Sequence, residues 1–297
     1  MQFLEAMTPE PPKPFEFEPQ FPPSARVLLG TTRNLGRVLK EIERGNANGL
    51  CLNPHTGFKN GKLGQIVGAP GLKYLTVTDV EYVREIEAVE QMHQLVGLSL
   101  GSRDVHLNLS GLKKLEGLIV GWTPKLVLPP TTAPLKGLIL WHYRPRTLDL
   151  TELPHYRKLV CLNLNHGRLT SLKGIERFKQ LRESEVCYVK GLRSIAAFAR
   201  TPVRAIRIGE CSGIKDFETL AGCRNLWKVQ ISNGPEMKSL RFLKRFKKLT
   251  SFRFVMTNVV DGNMRPLLEL KDAAFYPNKR HFSHTCEEIE EALGISE

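Results

Sequence analysis

"LTSLKGIERFKQL", residues 169–181, carries an apolar side chain at every third position: Leu169, Leu172, Ile175, Phe178 and Leu181. A strand repeats every two residues and an α-helix every 3.6, so neither keeps these side chains on one face. The spacing recurs. "IKDFETLAGCRNL" places Ile214, Phe217, Leu220, Cys223 and Leu226 in the same way, and "MKSLRFLKRFKKL" places Met237, Leu240, Leu243, Phe246 and Leu249. "LRSIAAFARTPV" starts alike with Leu192, Ile195 and Phe198, then falls about one residue short. Self-similarity of this kind is settled before any other fold argument.

Each stretch runs into a second pattern, LxxLxL. The best copies are "LVGLSL" (95–100), "LEGLIV" (115–120), "LKGLIL" (135–140) and "LVCLNL" (159–164). Looser copies start at Leu72, Leu181, Val203, Leu226, Leu249 and Leu270, which spaces the blocks 20 to 24 residues apart. "NGLCLN" (48–53) reads as a strand preceding them. On these residues the chain resembles the leucine-rich repeat family over about 71–277, and is most similar to the short repeats of phosphatase-regulator and internalin-like members. The family's usual Asn, Cys or Thr at the ninth position is matched by Thr123, Cys211, Thr257 and Asn278. Val80, Arg103, Tyr143, Gly167, Val189 and Gly234 depart from it, so some turns are expected to be irregular.

The period of three then has a physical reading. The alternating end of LxxLxL is a short strand with its leucines toward the core. The segment after it returns as a 3₁₀-like path with about three residues per turn, so every third side chain points inward. One repeat cannot bury its own apolar face; stacked neighbours do that for it. The expected fold is an α/β repeat solenoid: a right-handed curved leucine-rich-repeat superhelix with a parallel concave β-sheet, an irregular or 3₁₀ convex side and helical caps.

An open solenoid end exposes core, so both ends need covering. Leu35, Val38, Leu39 and Ile42 define an amphipathic helix within 31–46, with Thr31 or Thr32 as its N-cap. At the other end Thr285 and Glu288 fit a capping box, and Gly294 a stop. The organisation expected is a Pro-rich tail (1–24), an N-terminal helical cap and first strand (25–70), about ten repeats (71–277) and a C-terminal capping segment (278–297). Seven prolines fall within residues 9–23, which excludes helix there. That leaves a disordered or polyproline-like tail, or one whose "FEFEPQF" packs extended on the solenoid or a partner.

The net charge of +13 over 297 residues favours acidic partners. The six cysteines are dispersed and read as reduced, buried thiols. No segment reads as a secretory signal or membrane span, which points to a cytoplasmic location. Phosphate-loop, dinucleotide, zincin and nucleophile-elbow motifs are absent, so no enzyme and no cofactor are expected. His281, His284 and Cys286 cluster, but no fourth ligand is evident and the helix cap already accounts for them, so no metal is expected.

Strand alternation sends the third, fifth, seventh and eighth positions of each block away from the core. Reading them off gives Trp122, Trp141 and His142, then His166, Glu183, Glu185 and Tyr188, then Arg207, Lys228, Gln230 and Arg253. Exposed Trp, Tyr and Arg are the usual anchors of protein interfaces. The charged members suggest a stripe graded from acidic to basic, suited to register and specificity. The resemblance and the missing chemistry together imply a non-enzymatic scaffold that binds another protein, of acidic or mixed-charge surface, on the concave face. A regulator or a toxin-neutralising partner is one version of that role. The alternative is a binder of nucleic acid or an anionic surface through the basic convex ridge 238–248 (Lys238, Arg241, Lys244, Arg245, Lys247, Lys248).

Overall fold

The structure, a computed structural model, describes residues 24–104 and 106–295; the side chains of 102–104, Arg103 among them, are not described. The Pro-rich tail expected at the start therefore lies, up to residue 23, outside the described residues.

Twelve parallel strands follow one another in chain order. They are β1 (Val27–Gly30), β2 (Gly49–Leu52), β3 (Tyr74–Val77), β4 (Gly97–Asp104), β5 (Gly117–Gly121), β6 (Gly137–Trp141), β7 (Cys161–Asn165), β8 (Glu183–Cys187), β9 (Ala205–Gly209), β10 (Lys228–Ser232), β11 (Ser251–Val255) and β12 (Asp272–Tyr276). Strands β3 to β12 are the LxxLxL blocks, and β2 is the strand expected at 48–53. The additional strand β1 pairs with β2, Val27 opposite Gly49. Two compact units divide the chain. The N-terminal unit comprises residues 24–144 and 154–164, and the C-terminal unit residues 145–153 and 165–295.

The return segments explain the period of three. Those of the C-terminal unit contain 3₁₀ turns at Ile175–Arg177, Ala196–Arg200, Phe217–Gly222, Arg241–Arg245 and Arg265–Glu269. Leu169, Leu172, Ile175, Phe178 and Leu181 are all fully buried. So are Leu192, Ile195 and Phe198, and Ile214 to Leu226 keep the spacing with little exposure. Each such side chain contributes about 1.5–3 kcal/mol by leaving water. The last copy loosens: Phe242 joins the core beside Leu243, while Phe246 and Leu249 are only half-buried.

The ninth positions divide by chemistry. Thr257 Oγ1 accepts the Gly234 N–H at 3.0 Å and donates to the Val255 carbonyl, Thr123 Oγ1 accepts the Lys125 N–H at 3.3 Å, and the Cys211 thiol donates to the Gly209 carbonyl at 3.2 Å. Val80, Tyr143 and Val189 instead fill core, being buried. These six turns thus close either by a side chain that bonds the backbone or by one that leaves water, whereas Gly167 and Gly234 have no side chain to do either.

The eighth position shows a regularity that the sequence pattern hides. Asp79, His142, His166, Tyr188, Glu210, Asn233 and Met256 all have positive φ, between 46° and 59°. In the C-terminal unit their N–H groups extend the ladder one rung past the strand: His166 to Cys187 O (3.0 Å), Tyr188 to Gly209 O (2.8 Å), Glu210 to Ser232 O (2.9 Å) and Asn233 to Val255 O (2.9 Å). The left-handed conformation turns the chain while keeping that bond. It costs an L-residue with a Cβ about 1–2 kcal/mol, and Gly or Asn would meet it more cheaply.

Both caps are helical. Helix α1 (Leu35–Glu43) buries Leu35, Val38 and Ile42. Its first residue is later than expected, because Asn34 is the N-cap. Thr31 closes the preceding turn instead: its Oγ1 accepts the Asn34 N–H at 3.2 Å and its N–H donates to Asn34 Oδ1 at 2.7 Å. Helix α2 (Cys286–Leu293) starts with the expected capping box of Thr285 and Glu288 and ends at Gly294, φ 66°. It buries Cys286 and Ile289, and the Phe275 N–H of β12 donates to Cys286 Sγ at 3.2 Å.

Candidate protein-binding face

Parallel register assembles the outward residues of β8 to β12 into rows. Glu183, Ala205, Lys228, Ser251 and Asp272 stand opposite one another in one row, and Glu185, Arg207, Gln230, Arg253 and Ala274 in the next. Neighbouring members of a row are about 4.8 Å apart. Six of the expected residues, Glu183, Glu185, Arg207, Lys228, Gln230 and Arg253, therefore share one surface.

Across the strands the charges run from Glu183 and Glu185 through Arg207, Lys228 and Arg253 to Asp272. Several of them pair with a neighbour. Arg207 donates from Nε to Gln230 Oε1 at 3.1 Å and lies 3.5 Å from Glu185 Oε2. Arg253 grips Asp272 with two nitrogens, the guanidinium contacting both carboxylate oxygens at 2.5–3.1 Å. Ser251 Oγ donates to the same carboxylate at 2.5 Å. Burial pushes the Asp272 carboxyl up, but the bonds from Arg253 and Ser251 outweigh it and hold the group below the ordinary carboxylate range. Burial, then the Arg253 guanidinium, push the Lys228 ammonium down. Asp272 and Ser251 are thus site residues not singled out from the sequence. Both occupy third positions, Asp272 in the last and least leucine-like block.

Gly209 interrupts the seventh-position row. A Cβ there would come within 2.9 Å of both Cys187 Sγ and Ser232 Oγ, so only a glycine fits between them. Burial and then Glu185 push the Cys187 thiol up. Burial raises Cys211 and Cys286 to about 11 and Cys223 to about 12, so these cysteines stay protonated at neutral pH. Beyond the strands, His166 and Tyr188 stack face to face, with ring centroids 4.4 Å apart and planes 4° from parallel. Tyr188 is 47% exposed.

Trp122, Trp141 and His142 form a separate group in the N-terminal unit. The Trp122 N–H donates to the Trp141 carbonyl at 2.8 Å, and its ring meets Tyr143 edge-on at 5.4 Å. Trp122, Thr123, Pro124, His142 and Arg144 line one depression. All three expected residues are half-buried. Cys161, at an outward strand position, is buried all the same, 1% exposed.

On the return path, Lys238, Arg241, Lys244, Arg245, Lys247 and Lys248 are exposed. Lys244 of the ridge is compensated by Glu269 at 2.7 Å, and Lys248 donates to the neutral amide of Asn225 at 3.2 Å. Near the C-terminus, His281 bonds the Val259 carbonyl, His284 bonds Ser283 and Cys286 accepts from Phe275. Among the described residues no group of three His, Cys, Asp or Glu side chains could hold a metal ion. No helix among them is long and apolar enough to cross a membrane.

The stacked parallel strands, the 3₁₀ returns and the helical caps define a leucine-rich-repeat solenoid. No protein-family model matches the chain, and no curated protein sequence does. Solved structures do match. An internalin (inlF) from Listeria monocytogenes str. 4b F2365 aligns over 83% of this chain and 76% of its own, with a TM-score of 0.51 and 14% identity. An internalin C2 (inlC2) from the same strain aligns over 40% of this chain and 61% of its own, at a TM-score of 0.30 and 21% identity. The likeness to the first is one of fold.

Proposed function

We infer that this chain is a protein-interaction scaffold, and that the strand face of the C-terminal unit receives a partner protein of mixed surface charge. The observation that carries this reading is the in-register cluster of Glu185, Arg207, Gln230, Arg253 and Asp272, polar side chains pre-ordered by one another on rigid strands. Pre-ordered side chains lose little entropy on binding, and mixed charge selects a partner more than it adds affinity. Exposed Tyr188 at the strand ends offers an aromatic anchor beside them. A role as a regulator or as the neutralising partner of a toxin fits such a face. The group of Trp122, Trp141 and His142 is a second candidate contact.

The test is affinity capture with the full chain and two folded variants, Arg207→Ala and Trp141→Ala, comparing the proteins retained. A protein held by the wild type and lost with Arg207→Ala supports the reading. If Arg207→Ala retains every protein that the wild type holds, the strand face of the C-terminal unit is not the interface.

A further inference from the structure

The second position of each block, one residue before its strand, builds a surface that the outward rows do not include. In the C-terminal unit the backbone bonds align these positions: the Trp227 N–H donates to Arg204 O at 2.9 Å, the Thr250 N–H to Trp227 O at 2.9 Å and the Lys271 N–H to Thr250 O at 3.0 Å. Arg204, Trp227, Thr250 and Lys271 therefore form one line along the strand-entry rim, with steps of about 4.8 Å. Three residues further back, Arg224 and Lys247 occupy equivalent positions of adjacent repeats. Their turns are tied together by Lys248, which bonds Asn225 across the gap at 3.2 Å.

Trp227 is 44% exposed. An indole left in water forgoes a large burial gain, and the ring contact it makes is with a cation, Lys228 Nζ at 5.9 Å from its centroid. Arg204, Arg224, Lys247 and Lys271 are exposed around it, and none has a carboxylate within ion-pairing distance among the described residues. This differs from the strand face, where Arg207 and Arg253 are paired. Unpaired cations that flank an open aromatic face are the means by which single-stranded nucleic acids are held: the cations follow the phosphates and a base stacks on the ring. A planar base matches the charge and the flat face together, whereas a chain of carboxylates uses only the charge and a duplex keeps its base faces stacked away from protein.

We propose that the strand-entry rim around Trp227 is a binding site for single-stranded nucleic acid, with Arg204, Arg224, Lys247 and Lys271 on the phosphates and one base stacked on the indole. The site is separate from the strand face and does not depend on a protein partner there.

The experiment is fluorescence anisotropy of a labelled twelve-residue oligothymidylate against the full chain, at several salt concentrations. Binding should weaken steeply with salt and should quench tryptophan emission. Trp227→Ala should weaken it roughly tenfold, Trp227→Phe should retain most of it, and a combined Arg204→Glu, Lys247→Glu variant should weaken it further and flatten the salt dependence. Arg207→Ala should leave it unchanged. Circular dichroism confirms that each variant is folded, and the Phe variant with the quenching readout serves if the Ala variant is not. Equal affinity for polyglutamate, for a duplex of the same length or for anionic phospholipid vesicles would overturn the proposal, as would unaltered binding by a folded Trp227→Ala.

Discussion

The same two rows of strand positions carry opposite chemistry in the two units. In the N-terminal unit the third positions in register are Gly49, Tyr74, Gly97, Gly117 and Gly137, and the fifth are Cys51, Thr76, Ser99, Ile119 and Ile139. In the C-terminal unit the corresponding rows hold Glu183, Ala205, Lys228, Ser251 and Asp272, and Glu185, Arg207, Gln230, Arg253 and Ala274. Both units are built on short parallel strands with apolar side chains turned inward, although β4 breaks register with β5 between Ser99 and Asp104. The repeat therefore constrains what faces the core and leaves the outward rows free to differ. A row of glycine, small and apolar residues makes few specific demands on a partner. A row of cross-linked charges makes many, since each group displaced from its pair must be paired again.

The largest expected effect breaks the part that the units share. Phe178→Ala removes a fully buried side chain from the period-three return and should cost about 4 kcal/mol, read from denaturant unfolding. A loss below about 1 kcal/mol would mean that the return segments are not the core. Next comes the part that differs. Asp272→Asn should destabilise by about 2 kcal/mol at neutral pH, because it weakens the charge-assisted bonds from Arg253 and Ser251. The pH dependence carries the sign: a carboxyl with its folded pKa depressed stabilises above its unfolded value and loses that contribution as pH falls through the folded value. The wild type and Asp272→Asn should therefore converge in stability as the solution is acidified below about pH 4. Parallel acid-unfolding curves would remove Asp272 from the account.

A smaller effect has the opposite sign. Met256 is 55% exposed and holds φ at 52°. Met256→Gly should be neutral to stabilising, by up to about 1 kcal/mol, as relief of the left-handed strain outweighs the added freedom of the unfolded chain. Destabilisation by more than about 1 kcal/mol would show that the Met256 side chain is needed for packing.

Much of the fold is legible in the sequence, because burial imposes a period. The ten blocks coincide with strands, and the four period-three stretches read from the sequence contain 3₁₀ turns, since only one periodicity keeps each segment's apolar side chains inside. Strand β1 escaped because "VLLG" is too short to carry a period. The N-terminus of α1 falls later than Thr31 or Thr32 because Thr31 and Asn34 both bond the backbone there, and composition does not rank them. At the candidate face, alternation identifies Glu183 to Arg253 as outward, but no pattern foretells which charges meet. Arg253 pairs across one strand boundary with Asp272, a contact set by register between blocks of unequal spacing. The left-handed eighth position is hidden because its residues are mixed: Asp79, Asn233, His142 and His166 are of types that favour positive φ, but Tyr188, Glu210 and Met256 are not.

The central claim is that the strand face of the C-terminal unit, and not its rim, receives the protein partner. The direct measurement is the dissociation constant of the captured partner for Arg207→Ala and for Arg204→Ala. Arg207 lies within the outward row, while Arg204 lies on the rim three residues away in sequence. Neither change should alter stability by more than about 1 kcal/mol. Weakening of at least tenfold by Arg207→Ala, with Arg204→Ala within about threefold of wild type, is the result expected for an interface anchored on Arg207. The reverse pattern, or equal affinities for all three proteins, would contradict it.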